Sequence, residues 1–203
     1  MGMTEWEKLQ RGELYDDSDQ DLFDRRVRAK KLFRAYNVTT DEETEKRKQL
    51  LDELFAKTGE NVWIEPDFRC EYGSNIEIED HVYINFDCMI LDCARVHIGA
   101  HSLLGPRIGI YAVNHALDPL EHLHGDCMGK PITSGNNVWI GGDTKILAGV
   151  TIGDNTVIGA GSVVTKDIPA NVVAVGNPCR VMRKRFRQRY WLRSCLPILL
   201  RVM

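Results

Sequence analysis

The sequence predicts a mainly β fold in which short strands wind into a triangular coil of hexapeptide repeats, closed at one end by an N-terminal helical cap. Three observations predict it: an apolar period of six residues, a small or β-branched residue at a fixed place in most repeats, and a helical pattern limited to residues 1–57. The chain of 203 residues is long enough for one such domain with a sizeable core and too short for a second large domain.

The predicted helical cap covers residues 1–57. Thr4 and Glu7 have the spacing of a capping box, and Thr40 and Glu43 repeat it at the start of a charged segment that Gly59 is expected to end. The apolar residues that fall roughly on one helical face are Leu22, Phe23, Val27, Leu32, Phe33 and Tyr36. We interpret these helices as a cover over one end of the coil.

The period of six is clearest near the end of the chain. Aliphatic residues recur there at Ile140, Ile146, Ile152, Ile158 and Val164. Helices have a period of 3.6 and flat strands a period of two, so neither explains this spacing. Earlier runs with the same spacing are separated by a slip of two residues: Ile78, Ile84 and Ile90, then Ile98, Leu104 and Ile110.

Each hexapeptide predicts one short strand and one corner, so three hexapeptides complete a turn and equivalent aliphatic side chains stack. Each buried aliphatic side chain stabilises the fold by about 1.5–3 kcal/mol. Glycines are expected to form the corners, because they accept backbone angles that other residues avoid, and Asn136, Asn137 and Asn155 are the next most tolerant type.

The largest break in the repeat lies between Tyr111 and Pro131. A segment of this length without an element of its own is uncommon unless it is functional, and this one contains His115, His122 and His124. We therefore predict three parts: a helical cap over 1–57, a β-helix domain over 58–182 with the long loop 111–131, and a basic C-terminal tail over 183–203.

The charge is unevenly distributed along the chain. From Cys179 onward there are eight basic residues and no acidic one, so the tail carries +8 and the preceding body −11. An acidic body argues against nucleic acid as a partner. The six cysteines form no C-x-x-C pair, and no segment resembling a signal peptide precedes them, so we expect reduced thiols and a cytoplasmic location.

Several motifs resemble the sugar O-acetyltransferases of the maltose and galactoside type, which are hexapeptide-repeat acyltransferases. The resemblance extends to about residue 183 and rests most on residues 135–142 (GNNVWIGG), 149–169 and 175–180 (VGNPCR). The earlier matching segments are Gly12-x-x-Tyr15-Asp16, Tyr72-Gly73-x-Asn75-Ile76 and Asn114-His115-x-Leu-Asp-Pro119.

This resemblance implies a left-handed parallel β-helix that assembles as a homotrimer, with acetyl-CoA as co-substrate between neighbouring subunits and no metal. His115 corresponds to the general base of the family, which deprotonates a sugar hydroxyl for direct attack on the thioester. The backbone N–H of Gly142 corresponds to the oxyanion donor, and Asn85 lies by the reacting centre.

The same resemblance assigns the binding residues. The implied coenzyme residues are Asn85, Gly142, Ala160, Thr165, Lys166, Arg180 and Arg183. The implied sugar-binding residues are Asp17, Glu71 and Asp92, whose carboxylates suit hydroxyl donors. Trp139 flanks the coenzyme or covers a corner. The sequence departs from the family at Ser134 and at Asp143-Thr144-Lys145, where small or aliphatic residues are usual.

Two other functions fit a trimeric β-helix. A carbonic-anhydrase-like enzyme would need three converging histidines, for which His81, His97, His101 and the loop histidines are candidates. A non-catalytic hexapeptide-repeat scaffold would have the β-helix fold without the catalytic activity. We favour a sugar acetyltransferase of the maltose, glucose or galactoside type, because the His115 loop and the Thr165-Lys166 pair accompany the repeats.

The basic tail has two interpretations. It could lie on an anionic membrane, since basic residues near such a surface contribute about 1 kcal/mol each. We favour packing on its own trimer or disorder, because the acidic body would be repelled by the same lipids.

Overall fold

A computed structural model describes residues 2–123 and 126–185 of the chain. His124 and the tail from residue 186 to 203 lie outside the described residues, so the two interpretations of the tail stay predictions. The helices are α1 (Glu5–Arg11), α2 (Gln20–Asn37), α3 (Thr44–Leu54) and the short α4 (Pro119–Leu123).

The first predicted capping box is confirmed. The Thr4 hydroxyl accepts the backbone N–H of Glu7 at 3.2 Å, and the Glu7 carboxylate accepts the backbone N–H of Thr4 at 2.8 Å. These two bonds satisfy donors that the start of a helix leaves without partners.

The other helical predictions are only partly right. Helix α3 begins at Thr44 with Glu43 as its N-cap and no side-chain cap, so the Thr40 pair precedes the helix, which ends at Leu54 well before Gly59. On α2, Leu22, Phe33 and Tyr36 are buried, whereas Phe23 and Val27 are 52% and 48% exposed. The α2 surface that contacts the rest of the molecule is therefore narrower than the apolar pattern indicates.

From residue 57 onward the described chain is mainly a parallel β-helix with three faces. The first face contains β2 (Lys57–Thr58), β5 (Ile76–Ile78), β8 (Val96–Ile98), β13 (Ile132–Ser134) and β16 (Thr151–Ile152). The second contains β3 (Trp63–Ile64), β6 (Tyr83–Ile84), β9 (Leu103–Leu104), β14 (Trp139–Ile140), β17 (Val157–Ile158) and β19 (Val172–Val175). The third contains β4 (Arg69–Cys70), β7 (Met89–Leu91), β10 (Gly109–Tyr111), β15 (Lys145–Leu147) and β18 (Val163–Val164).

The predicted stacking of aliphatic residues is confirmed. On the second face, the pairing register places one buried residue from each turn in a single column: Ile64, Ile84, Leu104, Ile140, Ile158 and Ala174. On the first face the column is interrupted by Ser134, whose buried hydroxyl has no hydrogen-bond partner among the described residues. The apolar stack is therefore the core of the coil, with one polar interruption.

All insertions into the coil leave from the same place. We call the junctions the first corner (first face to second), the second corner (second to third) and the third corner (third face to the next turn). Successive turns from Ile64 to Leu104 advance by 20 residues, whereas Ile140 to Ile158 advances by 18. The extra residues and the long loop 111–131 all lie at the third corner. The predicted two-residue slip is one of these insertions.

The expectation for the corners is partly right: Asn137 and Asn155 have positive φ angles, whereas most corner glycines do not. Positive φ angles occur mostly at residues other than glycine, in two columns: Asn61, His81, His101, Asn137, Asn155 and Asn171 at the first corner, and Asp87, Arg107 and Asp143 at the second. Asn136 is absent from them; its side-chain oxygen accepts the Ala100 N–H at 2.9 Å. Side chains link neighbouring turns, for example Asn137 to Asn155 at 2.8 Å.

The corner glycines instead permit close contact between turns. A Cβ atom added to Gly99 would lie 2.4 Å from the backbone carbonyl of Gly135 in the next turn, and one added to Gly141 would lie 2.5 Å from the Ala160 nitrogen. Non-bonded atoms do not approach this closely, so space and not backbone angle requires glycine there.

We predict that Gly99→Ala destabilises the protein by about 3 kcal/mol, because the new methyl group must push two backbone turns apart. Gly161→Ala is the control: its φ is +71° but nothing lies within 4 Å of the added Cβ, so only backbone strain of about 1 kcal/mol applies. Chemical unfolding measures both values, and equal losses would contradict the packing explanation.

Candidate active site

The second corner carries three of the predicted site residues on different turns. Asn85, Gly142 and Ala160 each follow a strand of the second face; the register places Asn85 one residue before Gly142 and Ala160, and the Gly161 N–H donates to Gly142 O at 2.8 Å. This edge of the coil is therefore lined by small residues above Asn85.

Two groups at the second corner are arranged as hydrogen-bond donors. The Asn85 side-chain oxygen accepts the Phe86 N–H at 2.8 Å, which leaves the side-chain NH2 group to donate outward. The neighbouring Gly141 and Asp143 N–H groups donate to backbone carbonyls, whereas the Gly142 N–H has no acceptor within the described ranges. A backbone N–H without a partner at a partly exposed corner can stabilise a developing oxyanion.

Two of the predicted basic coenzyme residues lie above this corner, on the strand that extends the second face. Strand β20 (Arg180–Lys184) pairs antiparallel with β19, placing Arg180 opposite Val175 and Arg183 opposite Val173. Both arginines are exposed. Trp139 is 55% exposed on the second face, beside the same edge. The edge thus combines cationic groups with an aromatic surface.

The third corner carries the other predicted residues. Glu71 and Asp92 follow strands β4 and β7, and the exposed Thr165 and Lys166 follow β18 at the top. His115 ends β11 (Val113–His115) in the long loop, and its side chain is exposed.

His115 is positioned by a small antiparallel sheet. Strand β11 pairs with β12 (Asp126–Gly129), which pairs in turn with β1 (Tyr15–Asp16) of the N-terminal cap. The His115 Nδ1 atom lies 3.4 Å from the Cys127 sulfur, and the His122 ring lies edge-on with its centroid 5.8 Å away. The cap therefore supports the loop that carries the histidine.

Arg26 of α2 joins the cap to the third corner. Its guanidinium donates to Asp17 Oδ1 at 2.7 Å, to Asp17 O at 2.9 Å and to the Tyr72 hydroxyl at 3.3 Å, and it lies 3.8 Å from Glu71. Burial raises the pKa of Glu71, and the charges of Arg26 and Lys30 oppose that shift. Asp17 and Glu71, both predicted to bind sugar, are thus brought together by one arginine.

Asp92 differs from its predicted role. Its side chain is fully buried, and its carboxylate accepts the backbone N–H groups of Glu71, Tyr72 and Asn75 at 3.0, 2.9 and 3.2 Å. A carboxylate with these partners and no exposed surface cannot contact a sugar in this conformation. Asp92 instead fixes the backbone that presents Glu71.

The residues that depart from the family motifs have structural partners. Asp143 forms a bidentate ion pair with Arg107 at 2.8 Å, and Lys145 donates to Arg107 O at 2.7 Å. The buried Thr144 hydroxyl donates to Gly141 O at 2.7 Å. These contacts connect the turns of the second corner, so the substitutions are accommodated without opening the stack.

The two sets of candidate residues lie at opposite edges of the third face of the coil. A three-residue strand spans roughly 10 Å, and it separates the second corner, which carries Asn85, from the third corner, from which the loop with His115 leaves. The larger described cavity, about 250 Å³, lies elsewhere, beside Arg47 and Trp63 between α3 and the first turns. One chain therefore presents two half-sites, one at each edge of the third face.

The histidines considered as metal ligands do not converge. His81 and His101 stack on each other at the first corner, with ring centroids 4.8 Å apart, while His97 lies 3.6 Å from Glu77 on the first face. Among residues 2–123 and 126–185 no three His, Cys, Asp or Glu side chains are grouped as metal ligands.

The five cysteines in the described ranges form no disulfide and are all buried: Cys70, Cys88, Cys93, Cys127 and Cys179. Burial raises the pKa of the Cys127 thiol to about 11, so it is neutral at physiological pH. In the same ranges, no helix combines the length and apolar character needed to cross a bilayer.

The sequence alone singles out neither Arg26 nor Cys127 as a functional residue. Arg26 is one of several basic residues on a charged helix, and only its 12% exposed side chain distinguishes it. The β12 pairing that brings Cys127 to His115 bridges a loop turn, which no periodicity indicates.

Two family models match the chain. The maltose acetyltransferase hexapeptide capping motif matches residues 8–59, and the bacterial transferase hexapeptide model (six repeats) matches residues 135–166. The first match covers the helical cap and the second covers part of the coil.

Characterised proteins match nearly the whole chain. The galactoside O-acetyltransferase of Escherichia coli (strain K12) is 46% identical over 184 residues, covering 91% of each chain. A crystal structure of a maltose O-acetyltransferase from Clostridium difficile 630 has a TM-score of 0.89 at 45% identity and covers 92% of this chain and 100% of its own. A galactoside acetyltransferase in complex with coenzyme A has a TM-score of 0.88 at 44% identity, covering 94% and 96%.

We predict that Arg26→Met destabilises the protein by about 2 kcal/mol, because a partly buried cation that holds Asp17 and Tyr72 is lost while its apolar stem is kept. Arg34→Met is the control, since Arg34 is an exposed arginine on the same helix. Thermal unfolding of the two variants compares them, and an equal shift in Tm would contradict a special role of Arg26.

Proposed function

The chain belongs to the maltose and galactoside O-acetyltransferase family of hexapeptide-repeat enzymes, and we propose that His115 is the general base with which it acetylates a sugar hydroxyl. As a member it is a sugar O-acetyltransferase that uses acetyl-CoA as co-substrate. The observation that supports the proposal most directly is the exposed His115 imidazole, held by a three-stranded sheet beside the cluster of Asp17 and Glu71.

The proposed reaction is a direct transfer. His115 Nε2 accepts the proton of the sugar hydroxyl as the oxygen attacks the thioester carbonyl carbon. The tetrahedral intermediate then collapses, the carbon–sulfur bond breaks, and the imidazolium returns its proton to the departing thiolate. An imidazole suits both steps because its unperturbed pKa of about 6.5 is close to neutral pH.

The second corner would supply the electrostatic stabilisation. The Gly142 N–H and the outward Asn85 NH2 group are donors that can face the oxygen as it acquires negative charge. Donors fixed by the backbone stabilise the transition state without reorganising, and removing one such donor typically slows turnover by about 10²–10³.

The coenzyme would lie between the upper part of the second corner of one chain and the third corner of its neighbour. Arg180 and Arg183 on the last strand of the second face, and Lys166 beside Thr165 at the third corner, are exposed cations suited to its phosphates. Ala160 above Gly142 leaves room for an extended chain, which fits a pantetheine arm better than a large side chain would. These residue types therefore match the chemistry of acetyl-CoA.

The sugar would bind at the third corner. The Asp17 and Glu71 carboxylates can accept hydrogen bonds from neighbouring hydroxyls, and Arg26 fixes their separation. A maltose, glucose or galactoside type of acceptor fits this arrangement.

We propose a homotrimer in which the second corner of one chain meets the third corner of the next. The support is that Asn85 and the loop carrying His115 lie at different corners of one chain, on either side of the third face. Cyclic symmetry would complete identical sites at every interface. The buried thiols agree with a reducing compartment, so we propose a cytoplasmic location for the enzyme. We also propose that its parts are the helical cap over 1–57, the β-helix domain over 58–182 and the tail over 183–203.

We predict that His115→Ala lowers kcat by about 10²–10⁴, the usual contribution of a general base, with little change in the KM for acetyl-CoA. Steady-state kinetics with acetyl-CoA and a panel of mono- and disaccharides measures both constants. Retention of more than about a tenth of wild-type turnover would remove His115 from the mechanism.

Mixed trimers of this variant with Asn85→Ala test the shared site. If each site combines two chains, random mixing restores wild-type residues on both sides in about a quarter of the sites, although each parent variant is inactive. If mixing restores no activity while exchange of subunits is verified by mass, the two residues act within the same chain.

We predict that Lys166→Ala raises the KM for acetyl-CoA about tenfold and leaves kcat largely unchanged, because a phosphate contact acts on binding and not on the chemical step. Lys57→Ala, which removes an exposed cation paired with Glu79 near the opposite end of the coil, is the matched control. Equal use of coenzyme esters that lack the ribose phosphate, with no effect of Lys166→Ala, would contradict the assignment.

A further inference from the structure

We propose that Cys127 is a positioning residue for His115: its sulfur accepts the Nδ1–H of the imidazole and leaves Nε2 as the base. The inference rests on the proposed function, because it explains how the histidine is kept in the form that the reaction needs. Cys127 touches neither substrate and acts through His115.

The geometry comes from the strand register. His115 and Cys127 are directly opposite each other in the β11–β12 pair, and the Nδ1–Sγ distance is 3.4 Å. Cys127 is 3% exposed and is also opposite Tyr15 on the other side, so its strand is the central one of three. A side chain on a central strand is a fixed reference for a neighbour on an exposed loop.

The direction of the hydrogen bond follows from the chemistry. If the thiol donated to Nδ1, the neutral imidazole would carry its hydrogen on Nε2, and that atom could not accept a proton. If Nδ1–H donates to the sulfur, Nε2 keeps its lone pair. The partner of one ring nitrogen sets the protonation of the other, so a base at Nε2 requires the sulfur to be the acceptor.

The sulfur partner is also uncharged. Burial is the main cause that raises the pKa of the Cys127 thiol, and the Asp17 charge adds to it. A neutral partner orients the ring without holding the imidazolium as strongly as a carboxylate would. The protonated ring can therefore release its proton readily to the departing thiolate at the end of the reaction.

The test compares three variants of the full-length enzyme. Cys127→Val fills the space of the thiol but offers no acceptor, whereas Cys127→Ser restores an acceptor. Cys93→Val is the matched control, because Cys93 belongs to the same buried cluster as Cys127 and Tyr15 and is 6% exposed. Any loss that reflects packing alone affects both valine variants.

Two measurements are made on each variant. Kinetics gives kcat and the KM for acetyl-CoA and sugar, and nitrogen NMR of 15N-histidine-labelled protein reports which ring nitrogen of His115 carries the hydrogen. The His115 signals are assigned by their loss in His115→Gln.

We expect the wild type and Cys93→Val to show hydrogen on Nδ1. Cys127→Val should shift the hydrogen of His115 to Nε2 and lower kcat about 10- to 100-fold, with the KM values nearly unchanged. Cys127→Ser should recover much of the wild-type kcat and of the population with hydrogen on Nδ1. A wild-type ring with hydrogen on Nε2, or Cys127→Val with wild-type kcat and tautomer, would overturn the inference. Equal loss in both valine variants would also overturn it.

Failure of the general-base proposal for His115 is distinguishable from failure of the positioning role of Cys127. If His115→Ala keeps its turnover, the base assignment itself is wrong. If His115→Ala is inactive while Cys127→Val is fully active, only the positioning role is wrong.

Discussion

The stacking of successive turns is the constraint on which the rest of the structure depends. Each turn must place its strands in register with the next, so the buried columns and the corner glycines leave no room for insertions along the faces. Extra residues can leave only at a corner, and in this chain they leave at the third corner. The loop that carries His115 is therefore an insertion that the coil tolerates without disturbing its core.

The N-terminal cap contributes to the site as well as to stability. Helices α2 and α3 cover the first turns, but the cap also supplies β1, Asp17 and Arg26 to the third corner, where Gln10 of α1 contacts Asn75 at 2.6 Å. The small sheet β1–β12–β11 connects the cap to the loop at both edges of β12. A change in the cap can therefore alter the position of His115 without changing the coil.

The candidate residues are divided between two corners, and each corner provides one kind of chemical group. The second corner provides hydrogen-bond donors and a lining of small residues, which suit an oxyanion and an extended coenzyme. The third corner provides carboxylates and an imidazole, which suit a polyhydroxylated acceptor and its proton. The two corners lie at opposite edges of the third face, so assembly and catalysis are linked in the proposed trimer.

The sequence by itself determined the coil. The period of six recurs in every turn, so the spacing alone predicts that residues such as Ile140 and Ile158 stack on each other. It also indicated the long loop and His115, since a break is visible against a regular repeat. Only the tertiary structure decided which polar groups meet. Asp92 is buried and accepts hydrogen bonds from backbone N–H groups. Arg26 of helix α2 contacts Asp17 and Glu71, and Cys127 is opposite His115 in the strand pairing. Most of these contacts join parts of the chain that no common period relates, so their partners are set by packing in three dimensions.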